Sequence, residues 1–159
     1  MKNTYFSSDT KGFTLIEILL VIGIIAVLAT VVIVALDPAK RFKDARDSRR
    51  FSDMQSILSA VQQYIVDNKG VLPAGVDTYE RQIGTENSGC ELAYGICSAN
   101  LPYCIDLSTP LARYLKALPY DPATGSPERT HYSIQVNENN IITIRSCDST
   151  DETISSVSQ

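Results

Sequence analysis

Residues 13–36 read FTLIEILLVIGIIAVLATVVIVAL, an apolar run broken by one ionisable residue, Glu17. About 24 residues at roughly 1.5 Å each make a helix of about 36 Å. The hydrocarbon core of a bilayer is about 30 Å thick, so this run can cross it with some tilt. It exceeds the apolar stretch of a cleaved secretory signal, and no A-x-A site follows it. The run therefore reads as a transmembrane helix and fixes the layout of the rest. What remains, roughly 120 rather polar residues, is a small domain that needs covalent links or a partner surface to be stable.

Glu17 raises a physical question. A carboxylate at the centre of a membrane helix costs about 2.5–3.5 kcal/mol on insertion scales, and less near the edge. Ionisable groups in such segments usually have a partner. No Lys or Arg lies between Lys11 and Lys40, so the run offers Glu17 no obvious partner. The missing cation has to come from elsewhere.

Lys11-Gly12-Phe13-Thr14-Leu15-Ile16-Glu17 with the apolar run behind it resembles the class III signal sequence of type IV pilins and type II secretion pseudopilins. The resemblance implies that a membrane-bound aspartyl prepilin peptidase cuts between Gly12 and Phe13 and N-methylates the new Phe13 amine. Cleavage creates the cation the chain lacks, and Glu17 is implied to meet the Phe13 amine of a neighbouring subunit during assembly. An unpaired carboxylate in a low-dielectric setting is costly, and a docked amine relieves that cost. The pairing favours register as well as docking. It is not a large net gain, because both charges are desolvated.

The expected architecture is α+β, pilin-like: a long N-terminal membrane-spanning helix continuing as the spine of a small head with a short antiparallel sheet. Five segments follow: a leader peptide (1–12), the transmembrane or filament-core helix (13–36), the soluble half of the long helix (37–70), a globular head with a cysteine-bearing loop and a β-hairpin (71–147), and a disordered tail (148–159). Asp37-Pro38 interrupts the helix. Pro38 either kinks one long helix, the reading the pilin resemblance favours, or sits at N1 of a fresh helix capped by Asp37. Gly23 is a second weak point, and the resemblance implies partial unwinding from there to Pro38 in a filament. Met54, Leu58, Val61 and Ile65, widened by Ile57 and Tyr64, form an apolar stripe that predicts packing on a sheet. Gly70 is the expected residue just past the helix end.

Lys40, Arg41, Lys43, Arg46, Arg49 and Arg50 follow the run closely, while the leader has only Lys2 and Lys11. The positive-inside rule alone would put the C-terminal side in the cytoplasm. The resemblance implies the reverse, and the motif is the stronger signal. These charges are expected to be a solvated face or to meet headgroups, with lateral contacts between subunits as the lesser role.

Cys90, Cys97, Cys104 and Cys147 are an even set in a small polar domain. They favour disulfides in an oxidising compartment over free thiols or a metal, with all three pairings open. Residues 71–102 read as a long stapled loop. Thr109 and Pro110 open a short expected helix whose apolar face is Leu111, Tyr114, Leu115 and Leu118. Leu118-Pro119-Tyr120-Asp121-Pro122 predicts turns and is similar to a segment of major pseudopilins and many pilin-like proteins. Some relatives bind calcium nearby, but Asp121 alone falls short of six to eight oxygens, so a structural turn is expected. Residues 130–136 and 141–145 alternate as a hairpin around Asn137–Asn140, and Cys147 is placed to pin the second strand to the cysteine-bearing loop.

No catalytic, cofactor or metal constellation is found. There is no G-x-S-x-G, H-E-x-x-H or phosphate-binding glycine loop. The single histidine, His131, falls on the polar strand face and is expected to be solvated. Asp44 and Asp47 lie on a basic helix expected to be solvated and are not read as a catalytic carboxylate pair. A net charge of -4 is a poor bulk match for nucleic acid. The leading functional reading is a structural subunit of a type IV pilus-like filament. Its implied partners are other copies or related pilins, prepilin peptidase, the inner-membrane assembly machinery and membrane lipid. Its implied location is a single-pass membrane protein with the head outside the cytoplasm, then a cell-surface filament. The alternatives are a type II secretion pseudopilin, a membrane-anchored binding module for DNA uptake or adhesion that does not polymerise, and a signal-anchored protein facing the cytoplasm.

Overall fold

A computed structural model describes residues 12–92, 96–149 and 155–159. The leader expected at 1–12 lies outside the described residues except for Gly12. The chain divides after Arg41 into two units.

The first unit is dominated by α1, Leu15–Leu36, 22 residues with none buried. It is long and apolar enough to cross a membrane. It ends at Asp37, whose φ of 37° lies in the left-handed region. Helix α2, Pro38–Asp67, starts at the next residue. The Lys40 N–H donates to Asp37 Oδ1 (3.3 Å) and the Arg41 N–H to the Asp37 carbonyl (3.2 Å). Of the two expectations for Asp37-Pro38, the local geometry is that of a restart capped by Asp37, with Pro38 at N1 where its missing N–H costs nothing.

From Phe42 onward α2 packs one face on a four-stranded antiparallel sheet. The strands are β1 (Arg81–Gln82), β2 (Tyr132–Val136), β3 (Ile142–Ser146) and β4 (Ser156–Ser158), in spatial order β1-β2-β3-β4. The apolar stripe is where the periodicity predicts it: Met54, Ile57, Leu58 and Val61 are buried, with Tyr64 and Ile65 partly so. They meet Tyr132, Ile134 and Val136 of β2, Ile142 and Ile144 of β3, and Val157 of β4. Ile134 pairs with Ile144, and Ile144 with Val157, so one pleat face of three strands carries the core. The far end of α2 closes as a Schellman motif, with Gly70 N–H to Ile65 O (2.8 Å) and Lys69 N–H to Val66 O (3.4 Å). Lys69, at φ 57°, takes the left-handed position expected of Gly70, which is one residue further on.

Four expectations are corrected. The tail is not wholly disordered: Ser156–Ser158 pairs with β3, and Val157 is buried against Ile144. Residues 150–154 lie outside the described residues. The loop 71–102 contains β1, two residues that pair with Ile134 and Ser133. Thr109–Leu115 forms successive turns rather than a helix. Its bonds mix i→i−3 (Ala112 to Thr109) with i→i−4 (Leu115 to Leu111), and so short a segment does not repay helix nucleation. Its Leu111 is nevertheless buried, and Tyr114, Leu115 and Leu118 pack beside it. Finally, His131 is partly buried at φ 60°, with Nδ1 2.6 Å from Asp148 Oδ2.

The cysteines form two disulfides, Cys90–Cys104 and Cys97–Cys147. The second joins the loop to the end of β3, as the position of Cys147 predicts. With Leu92 and Ala99 it makes a second small core. Glu80 fixes the loop further: it accepts from Ser133 Oγ (2.5 Å) and the Ser98 N–H (2.9 Å), and Arg145 lies 3.2 Å away.

One buried ion pair crosses the head. Arg50, expected in the solvated basic cluster, is 4% exposed. Its Nε donates to Asp121 Oδ2 (2.5 Å), Nη2 to Asp121 Oδ1 (3.1 Å) and Nη1 to Asp47 Oδ1 (2.7 Å). Asp47 is likewise buried rather than solvated. Asp121 Oδ1 also accepts from the Ala123 and Thr124 N–H groups (2.8 and 3.1 Å). The Leu118–Pro122 segment is thus the structural turn expected, closed on a guanidinium. Gly125 permits it: a Cβ there would stand 2.5 Å from the Asp121 nitrogen and 2.7 Å from the Thr130 carbonyl. Burial by itself would raise the Asp121 carboxyl, but Arg50 and the two N–H groups outweigh it and hold it below the usual range. Asp53 is shifted the other way, up, chiefly by burial.

Two predictions follow from these links. Cys97→Ser with Cys147→Ser should lower head stability by about 2–4 kcal/mol in denaturant titration of the full chain in detergent. A lowered carboxyl pKa contributes stability that is full above the unfolded value, about 3.9, and is lost as pH falls through the folded value. Asp121→Asn should therefore flatten the acid limb of head stability below about pH 4, read by near-UV circular dichroism, while Arg50→Met costs about 3–5 kcal/mol at neutral pH. An unchanged acid limb in Asp121→Asn would contradict the assignment.

Candidate functional site

The residues that carry the sequence argument lie at the start of α1. Thr14 is its N-cap, extended at φ -79° and ψ 152°. Its hydroxyl accepts from the Glu17 N–H (3.3 Å), and its own N–H donates to Glu17 Oε2 (2.7 Å). The Thr14 hydroxyl also donates to the same oxygen (2.8 Å). This is a capping box: threonine and glutamate three residues apart satisfy each other's backbone N–H groups at a helix start. A carboxylate there also faces the positive end of the helix dipole.

The arrangement corrects one inference from sequence. Glu17 has an intrachain partner, but it is a backbone N–H and a hydroxyl, not a cation. The signal was present as Thr14-x-x-Glu17 ahead of an apolar run. A search for opposite charge does not find it. Only Oε2 is engaged; Oε1 accepts no hydrogen bond among the described residues.

Gly12 and Phe13 precede the helix in non-helical conformation; a Cβ added at Gly12 would meet nothing within 4 Å among the described residues, and Phe13 is 84% exposed. Behind it every apolar side chain of α1 is exposed, and of the large ones Ile18 and Val21 are the least so, at 49%. Thr30 donates to the Ala26 carbonyl (2.9 Å), so its hydroxyl is satisfied within the helix and presents no polar demand to a surrounding apolar phase. Pro38 and the four cysteines play structural parts, at the α1–α2 break and in the two disulfides. Sequence reasoning missed Arg50 and Asp47, because a charge inside a basic cluster carries no mark of burial. No group of three or more potential metal ligands occurs among the described residues.

The N-terminal region thus presents a non-helical Gly12-Phe13 pair, a capped glutamate with one oxygen unbonded among the described residues, and a helix long and apolar enough to cross a membrane. No curated protein and no solved structure matches the chain. A family model does match at residues 7–33: the chain carries the prokaryotic N-terminal methylation motif, the class III signal of type IV pilins and pseudopilins.

Proposed function

We propose that the chain is a structural subunit of a type IV pilus-like filament. The observation that carries this reading is the methylation motif at residues 7–33, set on a helix with no buried residue. Prepilin peptidase cuts between Gly12 and Phe13 and methylates the Phe13 amine. The processed subunit waits as a single-pass membrane protein with its head outside the cytoplasm. On assembly by the inner-membrane machinery, α1 exchanges lipid for the helices of neighbouring copies or related pilins.

The capping box gives the exchange a physical form. Oε2 of Glu17 stays with Thr14, which keeps the helix start intact and the carboxylate oriented. Oε1 takes the Phe13 amine of the adjoining subunit. Neither charge is then left bare in a low-dielectric core, and a register that misaligns them is penalised. Supported by the Leu118-Pro119-Tyr120-Asp121-Pro122 stretch, a type II secretion pseudopilin is the second reading; it uses the same N-terminal chemistry.

Glu17→Ala separates a polymerising subunit from a tethered binding module. The variant should be made, cleaved and retained in the membrane. Its amount in the sheared surface fraction should fall at least about tenfold, equivalent to roughly 1.4 kcal/mol at the docking step. Undiminished filaments would refute the proposed role of Glu17.

A further inference from the structure

The chain's charge is sharply divided. Between residues 40 and 50 six basic residues stand against Asp44 and Asp47, a net of +4, while residues 51–159 carry six basic and 13 acidic residues, a net of -7. Arg50 is consumed by its buried pair with Asp47 and Asp121. The remaining basic residues of the cluster are exposed, and none of Lys40, Arg41, Lys43 or Arg46 has an ion pair among the described residues. Phe42, Arg46 and Arg49 recur at i, i+4 and i+7 on α2 and so share one helix face. Phe42 is 68% exposed; Arg49, paired with Asp53 only at 3.7 Å, keeps 60% of its side chain in solvent. An exposed aromatic ring flanked by guanidinium groups on one helix face is suited to a membrane surface: the ring enters the headgroup boundary and the cations meet lipid phosphates.

Position along the chain supplies the occupant. Phe42 is six residues past Leu36, about 9 Å at helical rise and at most about 22 Å fully extended. The headgroup layer beyond the hydrocarbon is about 5–8 Å thick on each side. Lys40, Arg41, Phe42 and Lys43 therefore lie within about 11 Å of the end of α1 at helical rise, while Arg46 and Arg49, about 15 and 20 Å along, reach the headgroups only if α2 lies along the surface.

We propose that Phe42, Lys43, Arg46 and Arg49, with Lys40 and Arg41 before them, dock on anionic phospholipid headgroups of the leaflet from which α1 emerges. The acidic remainder of the head is repelled by the same surface, which holds the head off the membrane by its base. The contact sets the depth of α1 and retains the subunit in the bilayer until assembly. It rests on α1 being the membrane anchor and not on filament formation.

The test uses the full chain in nanodiscs, one copy each, of phosphatidylcholine alone or mixed with phosphatidylglycerol. A water-soluble amine reagent reports Lys43 by peptide mass, with Lys69 and Lys116 of the head as internal references. Lys43 should react about five-fold more slowly in the anionic discs, from the attraction of one basic residue to such a surface. About 0.5 M salt should remove the difference, because exposed charges are then screened within a few ångströms. Arg46→Gln with Arg49→Gln should shrink it, with both disulfides and the Arg50 pair untouched. Equal labelling in the two lipids overturns the proposal. Protection that ignores lipid charge and grows with copies per disc also overturns it, in favour of the acidic head of a second copy. A chain washed out of the discs at alkaline pH overturns the anchor reading with it; a retained chain with lipid-blind Lys43 overturns this proposal alone.

Discussion

Helix α1 has 22 residues and buries none of them. In water an apolar surface of that size is untenable, because each exposed aliphatic side chain forgoes about 1.5–3 kcal/mol of burial. In lipid the penalty vanishes, and the backbone polar groups are satisfied within the helix. Two groups keep that solution from being trivial, the orphan N–H groups at the helix start and the carboxylate of Glu17. The capping box eases both with one set of bonds: the Glu17 N–H donates to the Thr14 hydroxyl, and the Thr14 N–H and hydroxyl reach Glu17 Oε2 at 2.7 and 2.8 Å. A helix so arranged suits a membrane, while Glu17 Oε1 accepts no hydrogen bond among the described residues. In the filament proposed above, that oxygen takes the Phe13 amine of the adjoining subunit.

The head meets a different constraint. It is small, and its apolar core is one helix face against one face of a short sheet. Two disulfides and a buried guanidinium supply what hydrophobic burial alone does not. The disulfides tether the irregular loop, Cys90 to Cys104 within it and Cys97 to the end of β3. Arg50 ties α2 to the turn through the Asp121 carboxylate, with Asp47 of its own helix on the remaining nitrogen. A charge so placed adds little net stability over an apolar substitute of the same shape. It does fix orientation, since both oxygens of Asp121 are occupied by a planar fork that tolerates one geometry.

The parts of this fold that a reader of the sequence can see are those written as long periodic patterns. The apolar run, the stripe from Met54 to Ile65 and the alternation of Tyr132, Ile134 and Val136 each repeat often enough to name the element and its buried face. What escapes is set by single contacts between distant residues. Ser156–Ser158 is three residues long and polar at both ends, and it is a strand because Ile144 receives Val157. Arg81–Gln82 is a strand because β2 has a free edge. Arg50 looks like its exposed neighbours until Asp121, 71 residues away, folds over it. At the N-terminus the failure is of another kind. Thr14 and Glu17 stand three residues apart, and no opposite charge marks their pairing, because the carboxylate is met by a hydroxyl and a backbone N–H.

The account turns on one covalent event, the conversion of the Gly12–Phe13 bond into a free and methylated amine. Intact-mass and N-terminal analysis of the chain purified from membranes with active prepilin peptidase reads it directly. A chain beginning at N-methylated Phe13 is expected. A chain that keeps Met1 to Gly12 under those conditions would contradict it, because no cation would then arise to meet Glu17.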